Sequence, residues 1–163
     1  MGNREHIIYN PEMECMSRDE LMALQGQRLR ETVRHEYDHV PVYRARMDAA
    51  GVHPEDIRTV EDICLLPFME KTDLRDQFPY GLMAVPKREI VRVHGSSGTT
   101  GKPIVSTDTR GDVEVWSEMM ARTLTAAGCT ADDIVQVAYG FGLFTGGFGA
   151  YQGADRIGAM VLP

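Results

Sequence analysis

The sequence predicts an α/β fold: a helical N-terminal region over residues 1–88, then an incomplete, largely parallel βαβ sheet over residues 89–163. Three observations predict it. Helix-start signals and three-to-four spacing of apolar residues dominate the first 80 positions. Near residue 89 the pattern changes to short β-branched runs separated by glycine-rich stretches. Further on, a strand, a helix and a strand follow one another at the lengths of a βαβ unit, which joins parallel strands.

The elements follow in order. Ser17 and Glu20 make an S-x-x-E capping box that opens a helix to about His39, with Leu21, Leu24, Leu29, Val33 and Tyr37 as its apolar stripe. Pro41 suits the first position of the next helix, and Gly51 suits its stop after Asp48-Ala49-Ala50. Thr59 and Thr72 are candidate caps of two further short helices, with Pro67 between them and Pro79 beyond. EIVRVH (89–94) and PIVSTD (103–108) are strands joined as a hairpin by a long polar connection. Thr109 caps a helix through about Ala127 that carries Val113, Trp116, Met120 and Leu124, and Gly128 ends it. DIVQVAY (133–139) is a strand. The stretch GFGLFTGGFGAYQG opens a helix toward Arg156, Gly158 stops it, and AMVLP (159–163) is the last strand.

The composition, 43% hydrophobic and 25% charged over 163 residues, is that of a globular domain with a core. A formal charge of −7 argues against broad nucleic-acid binding, which needs a basic face. Cys15, Cys64 and Cys129 are scattered and odd in number, so they are expected to be buried or half-buried free thiols in a reducing compartment. No signal peptide, myristoylation pattern or membrane span is found, and a cytoplasmic protein is expected.

Two glycine-rich stretches carry the candidate chemistry. In GSSGTTGKP (95–103), Gly95 and Gly101 enclose five residues, Pro103 stands where a phosphate-loop hydroxyl would bind magnesium, and a strand follows. The Walker A pattern therefore fails on spacing, chemistry and context. The glycines nevertheless let successive N–H groups face an anion, Ser96, Ser97, Thr99 and Thr100 can donate hydroxyl bonds, and Lys102 adds one charge. From the residues alone a nucleotide grip and a polar surface turn both stay open.

In the second stretch neither Gly140-x-Gly142 nor Gly147-x-Gly149 completes G-x-G-x-x-G, which disfavours a dinucleotide site. Glycines flanked by Tyr139, Phe141, Phe144 and Phe148 instead suit a flat apolar ligand, or a sheet–helix core. His94, beside the first loop, is expected to be a satisfied structural histidine. The other histidines lack metal spacing.

SSGTTGKP (96–103) resembles the phosphate loop of the adenylate-forming superfamily, which includes acyl-CoA synthetases, luciferases and peptide-synthetase adenylation domains. With PVYRARMDAAGV (41–52), LPFMEKTDLRDQFPYGLMAVP (66–86), IVRVHGSSGTTGKP (90–103) and AYGFGLFTGGFGAYQGADRIGA (138–159), the whole chain resembles the N-terminal part of the phenylacetate–CoA ligase family.

The resemblance implies a two-step reaction. An aryl acid's carboxylate attacks the α-phosphate of ATP and expels pyrophosphate; the thiol of coenzyme A then displaces AMP from the acyl-adenylate. It implies Mg²⁺, a phosphate cradle at Ser96, Ser97, Gly98, Thr99, Thr100, Gly101 and Lys102, and an aryl pocket at Tyr139, Phe141, Gly142, Phe144, Thr145 and Gly146. Residues 89–163 would then be the first part of the ATP- and aryl-acid-binding subdomain. Family members are more than twice this length, and the family's C-terminal domain with its catalytic lysine would lie beyond Pro163. The expectation is a truncated ligase, inactive alone, that self-associates as a homo-oligomer through its open sheet. The competing readings are a non-catalytic remnant or dimerising interaction module, and a Rossmann-type nucleotide binder.

Overall fold

The computed structural model describes residues 7–96 and 103–163. They form two compact units: residues 16–88 with 103–105, and residues 7–15 with 89–96 and 106–163. The helices in chain order are α1 (Pro11–Glu14), α2 (Arg18–His39), α3 (Pro41–Ala50), α4 (Lys71–Asp76), α5 (Arg110–Ala126) and α6 (Thr145–Ile157). The strands are β1 (Ile90–Gly95), β2 (Val105–Thr109), β3 (Ile134–Gln136) and β4 (Met160–Leu162).

The first unit is helical, as its sequence predicts. At the start of α2 the Glu20 N–H donates to Ser17 Oγ at 3.3 Å, and the Ser17 N–H donates to Glu20 Oε2 at 3.0 Å. Two backbone donors that a helix leaves without partners are thereby satisfied. Pro41 opens α3, and Gly51 closes it with a φ of +67°, a conformation that glycine adopts without penalty. Val33, Met47 and Ile57 form the core, and Leu29, Tyr37, Tyr43, Val52 and Leu66 pack around it. The stripe read along α2 meets this core at Leu29, Val33 and Tyr37. Thr59 caps a 3₁₀ turn, Val60–Leu65, in which Asp62 Oδ2 accepts from the N–H groups of Arg58 and Thr59. Thr72 is not a cap: α4 begins one residue before it, and Glu70 takes the cap position. Asp73, three residues on, accepts the Glu70 N–H at 2.6 Å, a reciprocal contact that Thr72 is out of step to make.

The second unit is built on α5 and α6. The small side chains Ser117, Ala121 and Thr125 of α5 are buried, and Gly149 and Gly153 of α6 lie against Trp116 and Met120. An added Cβ at Gly153 would lie 2.5 Å from Met120 Cβ and 2.8 Å from the Met120 carbonyl carbon. One at Gly149 would lie 2.8 Å from the Trp116 indole nitrogen. The helices pack at backbone distance because those side chains are missing, and Ser117 Oγ locks them by donating to the Gln152 carbonyl at 3.1 Å.

Helix α6 also bridges β3 and β4, which pair in parallel with Ile134 opposite Met160, Val135 opposite Val161 and Gln136 opposite Leu162. This is the predicted βαβ unit, and the Val137 N–H prolongs the ladder by donating to the Leu162 carbonyl at 2.8 Å. Gly158, with a φ of +87°, ends α6 as expected. The strands are shorter than the apolar runs that predict them, since DIVQVAY contributes only Ile134–Gln136. Among the described residues, β1 and β2 pair in a sheet separate from β3–β4.

The thiols differ from expectation. Cys129 is half-buried, whereas Cys15 and Cys64 are exposed, because both lie at ends of short turns rather than on a packed face. Among the described residues, no helix is long and apolar enough to cross a membrane.

Candidate functional site

The second unit brings the end of β1 to the glycine-rich turn before α6. Strand β1 alternates in burial, but the valines are on the outer face: Val91 and Val93 are exposed, while Arg92 and His94 point inward. The inner face can hold them because it meets aromatic rings. The Arg92 guanidinium lies 5.1 Å from the Phe148 ring centre and 6.0 Å from that of Trp116, and its Nη1 donates to Gln152 Oε1 at 2.8 Å.

At the strand end the Gly95 N–H donates to the Leu143 carbonyl at 2.9 Å. The first residue of GSSGTTGKP is therefore tied to the centre of GFGLFTGG. Ser96 is described and exposed; Ser97, Gly98, Thr99, Thr100, Gly101 and Lys102 lie outside the described residues.

The aromatic residues of the turn fall into two groups. Tyr139 lies against Gly146, where an added Cβ would come within 3.1 Å of its ring, and the ring stays 63% exposed. Gly147 is buried beneath the Tyr139 and Gly140 carbonyls, which an added Cβ would meet at 3.3 and 3.1 Å. Gly142, between Phe141 and Leu143, has a φ of +154°, a region closed to most side chains. Phe144 caps α6 with its ring half exposed, and Thr145 is the first residue of that helix.

The second group is Phe141, whose ring meets Phe148 edge-on at 5.2 Å and Tyr151 at 6.3 Å. Beside it is a cavity of about 360 Å³, lined by Arg92, Phe141, Phe148, Tyr151, Gln152 and Pro163. Of the six residues that the sequence puts in an aryl pocket, only Phe141 lines this cavity. Arg92, Tyr151 and Gln152 escaped sequence reasoning, although Phe148, Tyr151 and Gln152 share the i, i+3, i+4 face of α6. Arg92 left no signal, because its inward direction depends on the rings it meets.

The strand–turn–helix context of a dinucleotide site is present, but in the Gly147-x-Gly149 register both glycines are taken up by packing, against the Tyr139 and Gly140 carbonyls and against Trp116, while Gly140 and Gly142 stay open. Among the described residues, no three His, Cys, Asp or Glu side chains stand together to hold a metal ion.

Comparison with known proteins adds to this geometry. Over 151 residues the chain is 52% identical to the phenylacetate-coenzyme A ligase of Escherichia coli (strain K12), covering 93% of this chain and 35% of that protein. It is 49% identical over 157 residues to the enzyme of that name from Thermus thermophilus, covering 96% of this chain and 35% of the relative. The chain thus spans about a third of the length of the relatives it matches. Among solved structures, it resembles 2-hydroxyisobutyryl-CoA ligase in the postadenylation state in complex with 2-HIB-AMP, with a TM-score of 0.88 and 31% identity over 100% of this chain and 35% of that one. The same ligase with 2-HIB-AMP and CoA in the thioesterification state also gives a TM-score of 0.88, with 37% of that chain covered. No protein-family model matches the chain.

Proposed function

We propose that this chain, which is related along nearly its whole length to the N-terminal part of phenylacetate–coenzyme A ligases, supplies the phosphate grip and part of the acid pocket of an ATP-dependent acid–CoA ligase. The aryl acid is phenylacetate or a close analogue. Its carboxylate attacks the α-phosphorus of ATP with loss of pyrophosphate, and the thiolate sulfur of coenzyme A then attacks the acyl carbon with loss of AMP. The observation that carries this reading is the Gly95–Leu143 bond, which ties the start of the hydroxyl-rich loop to the aromatic turn. The two reactants, a polyphosphate and a flat apolar acid, need such neighbouring sites for in-line attack.

In this reading Ser96, Ser97, Thr99, Thr100 and Lys102, with the backbone of Gly98 and Gly101, bind the β- and γ-phosphates by hydrogen bonds and one ammonium charge. Mg²⁺ arrives with the triphosphate and offsets charge on the leaving pyrophosphate. Tyr139 or Phe141 offers the ring surface for the acid, while Gly142, Phe144, Thr145 and Gly146 shape the turn. Transition-state stabilisation then comes from positioning and electrostatics, because none of these side chains forms a covalent bond to substrate.

The test compares AMP release from phenylacetate, ATP and coenzyme A by the 163-residue chain and by a protein that continues to the length of the relatives. The longer protein is expected to turn over and the 163-residue chain to be inactive. In the longer protein Lys102→Ala is expected to raise KM for ATP about tenfold or more, the worth of one charge-assisted bond. No AMP from the longer protein, or an unchanged KM in the variant, would sink the assignment.

A second reading, that the chain also self-associates, is favoured by apolar side chains left open on the second unit. Val91 and Val93 on β1, with Ile134, Met160 and Leu162 on β3–β4, are all exposed.

A further inference from the structure

The most deeply buried titratable side chain of the second unit is one that the proposed reaction does not use. His94 is 2% exposed. It stands on β1 immediately before the hydroxyl-rich loop, with its ring edge-on to Trp116 at 5.3 Å and to Phe148 at 5.9 Å. Its two nitrogens are the atoms able to make polar bonds.

Each nitrogen faces a different segment. Nδ1 lies 3.2 Å from the Leu143 carbonyl, the oxygen that also accepts the Gly95 N–H at 2.9 Å. A carbonyl can only accept, so Nδ1 carries the proton directed at it. Both lone pairs of this one oxygen are then used by adjacent residues of β1. On the other side Nε2 faces Asp108 Oδ2 at 3.6 Å. Both atoms are buried, and neither has a hydrogen-bond partner among the described residues. Asp108 is near the end of β2, after the loop, so the imidazole touches the chain on both sides of residues 95–103 and also the aromatic turn.

We propose that His94 is a positioning residue: through Nδ1 and the Leu143 carbonyl it fixes the glycine-rich turn against the start of the phosphate loop. The inference rests on the ligase reading for its consequence, which is that the grip on ATP and the fit of the acid loosen together when the link is broken. Its physical core, the three-way contact, is independent of that reading. A purely space-filling histidine would be replaceable by any side chain of similar volume. A positioning one is replaceable only by a side chain that keeps the donor at Nδ1.

The test uses that difference. Asn can present its amide N–H₂ near the place of Nδ1, whereas Gln reaches toward the place of Nε2. Amide exchange at Gly95 is measured in the 163-residue chain for the wild type, His94→Asn, His94→Gln and His94→Ala. Protection is expected to survive in His94→Asn and to fall about fivefold or more in the Gln and Ala variants, the worth of one neutral hydrogen bond. Equal protection in the Asn and Gln variants overturns the proposal, and if His94→Ala fails to fold that pair still decides.

In the protein continued to the length of the relatives, His94→Gln is expected to raise KM for both ATP and acid about fivefold with kcat within about twofold, and His94→Asn to restore both. A fall in kcat alone overturns the positioning role. If the wild-type longer protein makes no AMP, the ligase reading fails while the exchange result still stands or falls by itself.

Discussion

At the scale of single residues, Gly153 decides how closely two helices approach. A methyl group there would sit 2.5 Å from Met120 Cβ and 3.0 Å from the Ala121 nitrogen. One of these is backbone and cannot rotate away, so α5 and α6 must separate. Gly153→Ala is expected to destabilise the chain by about 1–3 kcal/mol, the usual cost of overpacking, despite alanine's better helix propensity. Chemical denaturation measures it, and a stabilised variant would contradict the seam. Glu118 offers a pH test. Its carboxyl pairs with Arg122, accepts from Asn10 Nδ2 at 2.8 Å and lies 3.6 Å from Arg156. The bonds from Arg122 and then Asn10 hold it below its ordinary value of 4.5. A folded-state value below the unfolded one contributes stability that is complete above about pH 4.5 and is lost as pH falls through the lowered value. Glu118→Gln is expected to flatten that acid limb in thermal melts taken from pH 6 to pH 3, while an unchanged slope would remove Glu118 from the account.

At the scale of elements, the caps were the most legible part of the sequence. Thr109 takes the Asp112 N–H on its hydroxyl at 3.2 Å and returns its own N–H to Asp112 Oδ2 at 2.8 Å, which fixes the start of α5. Thr109→Ala is expected to cost about 1 kcal/mol, read as a lower denaturation midpoint with an unchanged slope. Such signals are local, a few residues long, and need no partner to be recognised, which is why Ser17, Pro41, Gly51, Thr109 and Gly158 all read correctly. Thr72 misled because Glu70 competes for the same turn two residues earlier. The apolar stripe of α5 is legible in part: Val113 is buried, and Trp116 and Met120 meet Gly149 and Gly153 of α6. The adjoining small residues Ser117, Ala121 and Thr125 are also buried but carry no large apolar signal. The inward turn of Arg92 is hidden because it depends on partners in other elements. Cation–ring contacts between β1 and α5 or α6 reverse what hydrophobic alternation implies, and no local window contains both partners.

At the scale of the whole molecule, β3–β4 stands out as a parallel pair with one covered face. Ile134 and Met160 are each 67% exposed, and with Leu162 they lie on the same side of the pair. Parallel strands are ordinarily covered on both faces. Self-association is therefore expected, and sedimentation velocity over a rising concentration series measures it. Ile134→Lys with Leu162→Lys is expected to shift the population toward monomer, and a wild-type monomer at the highest concentration would count against the idea. One further consequence comes from Trp116, the sole tryptophan of the chain. Its indole touches Gly149, lies edge-on to His94 and sits near the Arg92 guanidinium. All tryptophan emission therefore originates at the meeting point of β1, α5 and α6. The chain carries its own optical reporter, and a spectral change on adding nucleotide or aryl acid would be a signal from that one junction.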